Sequence, residues 1–338
     1  MNRDVELPID VVLYWVDGTD ENWLEEYSKF KNKSVGRFRD LGTLNFVLRG
    51  IEKNTPWVRH VHFVTNGQKP SWLNMEHPKL KFHTHEDIFY FKEALPVFNS
   101  SSIEANFSNI PGLSENFILF NDDMLVLKPL GIERFFKNNL PVDYLKLSFP
   151  RKGWLYKKLK PQNFLATQFI TNAYNYLASL NIIHLSFSNL FCKDYKFRTI
   201  LNNIFYSIFL KIHWLDIYHH PQPHLKSTWL DFLEENKDGV VKNTVLSKFR
   251  SPNDINQYLY RFINLISGDF YPKEFDDHLS LYVKSVGDLS SDMDYIFSKS
   301  LLCICEDENM SEEEFMELKR FLISELNNVL PEKSSYEI

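Results

Sequence analysis

The stretch Asn116–Asp123, NFILFNDD, decides how this chain is read. Its apolar run, Phe117 to Phe120, has the length and aromatic character of a buried strand, and it stops at Asn121-Asp122-Asp123. A second stretch repeats the pattern. Ile9–Val16, IDVVLYWV, is β-branched and aromatic and stops at the turn signal Asp17-Gly18. Strands that run into acids and glycines belong to an open α/β sheet, which presents ligand-binding groups at the carboxyl ends of its strands.

Between these two strands the periodicity switches. Leu41–Lys53 predicts a helix, with Leu44, Val47, Leu48 and Ile51 on one face, closed by Thr55-Pro56. Val58–Thr65 predicts a strand ending at Asn66-Gly67, and Leu80–His83 a short third strand. Asn99–Asn109 predicts a helix capped by Asn99 or Ser100, with Glu104 suited to its first turn. The order strand, helix, strand, strand, helix, strand gives the fold class α/β with parallel members. From Lys152 to about His219 the chain turns helix-like and aromatic, as in NFLATQFITNAYNYLASLNII (163–183) and IFYSIFLKIHWL (204–215). Thr228–Glu235, Ile255–Ile266 and Ser311–Val329 also read as helices. Residues 1–150 therefore form the sheet half and 151–338 a helical half packed on it. No Gly/Ser linker separates them, which favours one compact unit.

Composition narrows the function. The 338 residues are 44% hydrophobic and 24% charged, with a net charge of -6, a balance that argues against nucleic acid as a partner. Three cysteines, Cys192, Cys303 and Cys305, contain no CxxC pair, so reduced thiols in a cytoplasmic protein are expected rather than a disulfide framework or a zinc site. Met1–Leu7 has no apolar core, so no signal peptide is expected, and no run reaches the ~18 apolar residues of a membrane span. The nearest candidate, Ile200–Leu215, is broken by Asn202, Asn203, Lys211 and His213. With a single lysine it reads as a core helix rather than a membrane-surface one.

Several residues carry chemistry. Asp122 and Asp123 follow a strand directly, and a turn there swings both toward one hard cation, Mg2+ or Mn2+, which takes oxygen ligands. Asn and Asp also build ordinary turns, so the motif alone leaves both readings open. His219, His220 and His224 lie in HHPQPHLKS, where a histidine could serve as general base and a surface turn is the plain alternative. The basic residues group as Arg37 and Arg39 in RFRD, Arg49, Lys226, and Arg250 in KFRSPND. Arginine grips phosphate bidentately, though each also suits a surface salt bridge. The absence of GxGxxG, a Walker loop and GxSxG disfavours a dinucleotide enzyme, a kinase and a serine hydrolase.

Taken together, these blocks resemble the Stealth family of polysaccharide phosphotransferases. These are mostly microbial capsule and exopolysaccharide enzymes, related to the N-acetylglucosamine-1-phosphotransferase that builds the lysosomal mannose-6-phosphate tag. Its four conserved regions have counterparts in order. The first is IDVVLYWVDGTD (9–20). The second runs from RFRDLGTLNFVLRGIEKNTPWVRHVHFVTNGQKPSWLN (37–74) through THEDIF to LPVFNSSSIEANFSNIPGLSENFILFNDDM (95–124). The third is HHPQPHLKS with SKFRSPNDI, and the fourth SLLCICEDEN with PEKSSYE. Residues 152–215 have no counterpart in the family pattern.

The resemblance implies a GT-A-like nucleotide-sugar domain with helical additions. It implies transfer of a hexose-1-phosphate from a nucleotide sugar, often a UDP-hexose, to a sugar hydroxyl. Asp122 and Asp123 fall on the family's paired acids, His219 on its H-x-P histidine, Lys226 on the basic position that follows, and Arg250 on the arginine of its RSP segment. Asp17, Gly18, Arg39, Asp40, Arg49, Asn66 and Gly67 fall in the donor-side motifs. The fourth region departs: relatives read C-[IL]-N-D, and this chain reads Cys303-Ile304-Cys305-Glu306, followed by Asp307. Glu306 is the metal-holding residue expected there, with Asp307 as its alternate. The implied partners are a nucleotide-sugar donor and a glycan or lipid-linked glycan acceptor. The implied location is the cytoplasm, with peripheral contact at the inner face of the membrane as an option. Two other functions share these features: a metal-dependent glycosyltransferase that releases UDP, and a glycan-binding relative without turnover.

Overall fold

A computed structural model describes residues 7–31, 38–159, 164–180, 185–211, 214–236 and 238–338. Arg37, with residues 163, 181–183 and 212–213 of the expected helices, lies outside them. The described strands are β1 (Ile9–Tyr14), β2 (Val61–Thr65), β3 (Leu80–Thr84), β4 (Asn116–Asn121), β5 (Met124–Val126), β6 (Phe136–Lys137), β7 (Leu140–Asp143), β8 (Gln222–Leu225), β9 (Tyr271–Pro272), β10 (His278–Val283) and β11 (Leu301–Glu306). The main sheet runs β3-β2-β1-β4-β8. Its first four strands are parallel, and β8 joins antiparallel at the β4 edge.

Side-chain alternation explains why these strands read as continuous apolar runs. Val11, Leu13, Ile118 and Phe120 enter one core, and Val12, Phe117 and Leu119 enter another on the opposite face. The first core is closed by helices Leu44–Asn54 and Glu312–Val329. The second is closed by helices that include Lys226–Asn236 and Tyr258–Ser267. Both cores draw on residues before and after position 150, so the two halves interlock.

The helices follow their sequence signals. Ser311 and Glu314 form a capping box ahead of Glu312–Val329, which buries Phe315, Leu318, Leu322 and Leu326 at helical spacing. Leu44–Asn54 packs closely on β5, where a Cβ on Gly50 would lie 2.5 Å from the Val126 carbonyl oxygen. Asn99 caps its helix as expected, by accepting from Ser101 N–H. That helix is shorter than its periodicity predicts: Ser100–Glu104, then a 3-10 turn Phe107–Asn109.

Three expectations change. The second half is not only helical: β8 completes the main sheet, and β10 and β11 form a second sheet with β5. HHPQPHLKS is not a surface turn, because Gln222–Leu225 lies along β4 with every residue buried and His224 stacked on Phe117. The described part of Ile200–Leu215 is not a core helix. Phe197–Ile204, extended by a π turn Phe205–Phe209, buries Thr199 and Asn203, packs Ile200 and Tyr206 on the core, and turns Phe197, Leu201, Phe205, Ile208 and Phe209 outward.

Candidate active site

The acidic corner forms where β4 leaves the main sheet and β5 enters the second. Asp122 and Asp123 occupy that turn. Thr43 Oγ1, at the start of helix Leu44–Asn54, donates to the Asp122 carbonyl at 2.6 Å, and Ile304 N–H of β11 donates to the Asp123 carbonyl at 3.2 Å. The corner is thus held from both sides through its backbone carbonyls, so these contacts do not occupy its carboxylates.

His219 reaches it from the segment before β8. Its Nε2 lies 3.8 Å from Asp123 Oδ2 and 3.5 Å from Asn121 Nδ2, while its Nδ1 faces Tyr258 Oη at 3.4 Å. Ser280 of β10 donates its hydroxyl to the His219 carbonyl. Burial alone would lower the His219 pKa, but the Asp123 carboxylate, aided by Glu104, outweighs it and the pKa rises. Burial would raise Asp123, and the imidazole outweighs that in turn, so the carboxyl is held below its usual range.

The remaining acids are crowded. Burial, then Asp123, Asp40 and Glu306, push the Asp122 carboxyl well above its usual range. Burial and Asp123 also push Glu306 up, against the opposing charge of Arg39. Asp123 Oδ1 and Asn121 Oδ1 are buried without a hydrogen-bond partner. Like charges packed together beside orphaned oxygens are the donor set that a divalent cation satisfies, so the residues fit such an ion. Sulfur is present as well. Cys305 Sγ donates to Asp123 Oδ2 at 3.2 Å and lies 3.8 Å from Cys303 Sγ. Asp123, His219, Cys303 and Cys305 bring four ligand atoms within 4.8 Å of one another. Cysteine spacing alone could not anticipate that grouping, because its ligands come from three separate segments.

Arg250 stands exposed at the rim, with Nη2 donating to Ser100 Oγ at 2.8 Å, and its charge is felt at Glu104 and His219. Glu104 is the residue that sequence reading passed over. It is buried, accepts from Tyr14 Oη at 2.9 Å and Gln257 N–H at 3.0 Å, and keeps a raised pKa because burial outweighs those bonds. A carboxylate in a helix's first turn looks like an ordinary capping residue, and only the fold shows it facing His219 and Arg250.

The expected donor-side residues divide. Asp17, Gly18, Asn66 and Gly67 follow β1 and β2 at the carboxyl edge that also carries the acidic corner. Gln68 ties these loops, accepting from Asp17 N–H at 2.9 Å and donating to its carbonyl at 2.9 Å. Gly67 has φ +114 and faces open space, and Asn66 Oδ1 is buried without a partner. Asp40 adds charge at Asp122 and accepts from Gly42 N–H at 2.6 Å. Arg39 donates to the carbonyls of Met310 and Asp307 at 2.8 and 3.1 Å, which secures the chain after β11.

Two residues are not brought to the corner. Arg49 forms a buried bidentate pair with Glu337, both bonds 2.8 Å, and donates to the Leu330 carbonyl at 3.0 Å. Lys226 follows Leu225, which pairs with Asn116 at the opposite end of β4 from Asn121, and its Nζ donates to the Leu113 carbonyl at 3.4 Å. The strand β8 that brings His219 toward Asn121 carries Lys226 away from it.

Comparison with known proteins fits this geometry. The profile of Stealth protein CR1, conserved region 1, matches residues 7–35, and that of Stealth protein CR2, conserved region 2, matches residues 37–143. The chain is 32% identical over 351 residues to the capsular polysaccharide phosphotransferase WcwK of Streptococcus pneumoniae, covering 97% of this chain and 98% of that relative. The chain belongs to the Stealth family. Another relative, the receptor polysaccharide phosphotransferase WefC of Streptococcus oralis, is 31% identical over 355 residues, covering 98% of this chain and 99% of its own. The exopolysaccharide phosphotransferase cps2G of Lactiplantibacillus plantarum is 32% identical over 345 residues, covering 97% and 96%. As a Stealth protein of this kind, the chain is a transferase enzyme. Stealth region 2 spans Arg39, Asp40, Arg49, Asn66, Gly67, Glu104, Asp122 and Asp123. Among the described residues no helix is long and apolar enough to cross a membrane.

Proposed function

We propose that this enzyme transfers a hexose-1-phosphate from a nucleotide sugar, a UDP-hexose, to a hydroxyl of a growing glycan during capsule or exopolysaccharide synthesis. The relatives matched over nearly their whole length are polysaccharide phosphotransferases, which supports phosphotransfer into polysaccharide. The observation that carries the chemistry is His219 held beside the crowded, partly orphaned carboxylates of Asp122 and Asp123. The four parallel strands with their ligand loops at one edge support a GT-A-like donor site.

In this reading His219 Nε2 takes the proton from the acceptor hydroxyl. The freed oxygen forms a bond to the phosphorus next to the sugar. The bond from that phosphorus to the bridging oxygen breaks, and UMP leaves with both electrons. The proton on His219 then passes to solvent. Asp122, Asp123 and Glu306 are the residues that would hold a divalent cation, Mg2+ or Mn2+, which when bound would supply positive charge to offset that of the pyrophosphate. Arg250 grips phosphate oxygens from the rim, and Glu104 sets the charge around His219 and Arg250. Positioning and electrostatics supply most of the acceleration in phosphoryl transfer, so no protein nucleophile is required.

Mass spectrometry of products from a UDP-sugar and a glycan acceptor tests the proposal. UMP and a phosphodiester are expected. UDP with a plain glycoside would identify the chain as a conventional glycosyltransferase instead.

A further inference from the structure

Helix Phe197–Ile204 and the π turn Phe205–Phe209 are built inside out. Asn203, 0% exposed, accepts from Leu147 N–H and donates to the carbonyls of Leu145 and Leu190. Thr199 is also buried and bonds Glu274. The side that carries Thr199 and Asn203, with Ile200 and Tyr206 packed beside them on the core, is therefore the helix's anchor to the protein. Phe197, Leu201, Phe205 and Phe209 follow at four-residue spacing on the other side, where Phe205 is 52% and Phe209 72% exposed. Phe149 and Phe187 are exposed on the two segments that Asn203 and its neighbour Asn202 tie to this helix. An apolar stripe this continuous and this solvent-facing marks an interaction surface.

Charge identifies the occupant. Residues 149–211 carry nine lysines and arginines against a single acid, Asp194, in a chain whose net charge is -6. Lys152, Lys158, Lys193, Arg198 and Lys211 are all exposed. Aromatic side chains flanked by cations, on a helix that stays too short to span a bilayer, match the interfacial zone of an anionic membrane.

We propose that this face docks the enzyme on a lipid surface bearing anionic headgroups, with the phenylalanines entering the headgroup boundary and the lysines and arginines on the phosphates. The docking stands apart from the catalytic reading, since no residue of the acidic corner takes part.

Flotation of the full chain with phosphatidylcholine vesicles, alone or mixed with phosphatidylglycerol, tests it. Binding is expected to the mixed vesicles, and it weakens as salt rises. Replacing Phe205→Ser together with Phe209→Ser lowers partitioning about tenfold, because two buried rings are lost. Lys193→Glu with Arg198→Glu lowers it for the mixed vesicles by a similar factor, about tenfold. Both pairs are exposed, so an unchanged melting temperature and unchanged turnover on a soluble acceptor accompany the loss. Absence of binding to the mixed vesicles overturns the proposal. So does sedimentation showing a dimer that Phe209→Ser dissolves, since a second copy would then cover the face. Loss of phosphotransfer with vesicle binding intact would count against the catalytic reading alone.

Discussion

The two ends of the main sheet each bring a carboxylate and an imidazole together, and they are opposites. At the amino end Asp10 accepts from Arg59 Nε at 2.8 Å, Ser114 N–H at 2.8 Å and His60 N–H at 3.2 Å, and meets His62 Nε2 at 3.1 Å. His62 Nδ1 passes the chain on to His83 Nε2 at 3.0 Å. Every polar atom of Asp10 is engaged, and its pKa is driven far down: burial would raise it, and these partners outweigh that. At the carboxyl end Asp123 leaves Oδ1 without a partner, and Asp122 is crowded by like charge. Both ends bring acids and histidines within ion-binding reach. Saturation separates them: a filled network rigidifies a fold, and an unfilled one is a site waiting for something to bind.

Mutation should divide the two ends sharply. His219→Ala is expected to lower turnover about a thousandfold with little change in melting temperature. A chelator should abolish turnover and added Mg2+ or Mn2+ restore it, measured as UMP release. Asp10→Ala should instead cost on the order of 3 kcal/mol of stability, because it strands a buried imidazole and a guanidinium. Turnover per folded molecule stays within about twofold, as expected for a purely structural pair. In the metal-free protein Asp122→Asn should raise the melting temperature, since it removes a carboxylate that its surroundings disfavour.

The same contrast appears in pH dependence. Burial, and then the charge of His62, hold His83 down to about 4, against an ordinary 6.5. The folded protein refuses a proton that the unfolded chain accepts. The resulting cost is absent above about 6.5, grows as pH falls and is complete below about 4. His83→Gln should flatten the stability curve across that window, read by chemical denaturation at several pH values. His219 has the reverse sign. In the metal-free protein its imidazole should titrate above 6.5 by NMR, and Asp123→Asn should move it below, because burial persists without its counter-charge. The smallest effect belongs to Lys226→Met, which should change turnover by less than about twofold, since Lys226 sits at the far end of β4.

The parallel strands were legible because apolar runs ending in Asp-Gly, Asn-Gly or Asn-Asp-Asp carry both their burial and their functional edge. Asp122 and Asp123 are legible as candidates for the same reason, whereas His219 is legible only through the histidine cluster HHPQPHLKS and its resemblance to the family's H-x-P motif. Strand β11, Leu301–Glu306, is hidden in the sequence because it ends in an acid and because one of its partners, the three-residue β5, lies far away in sequence. Glu104 was hidden because its role depends on tertiary approach to Arg250 and His219. Arg49 shows the converse: a grouped arginine suggested phosphate, and the fold gives it to Glu337. The outward stripe of Phe197–Ile204 defeated periodicity, which locates an apolar face but not the side on which the protein lies.

The Arg49–Glu337 pair also bears on when the enzyme can be assembled. Arg49 lies in the helix whose first turn, through Thr43, holds the Asp122 carbonyl. Leu73 bridges Glu337, and Asn74 N–H donates to the Tyr336 carbonyl, so the same tail also grips the loop between β2 and β3. A ribosome delivers β1 to β4 early, yet the clamp on their helix arrives only when residue 337 is made. The nascent chain therefore carries Asp122 and Asp123 before residue 337 is made, and the Arg49–Glu337 contact that steadies the helix holding the Asp122 carbonyl forms only afterwards.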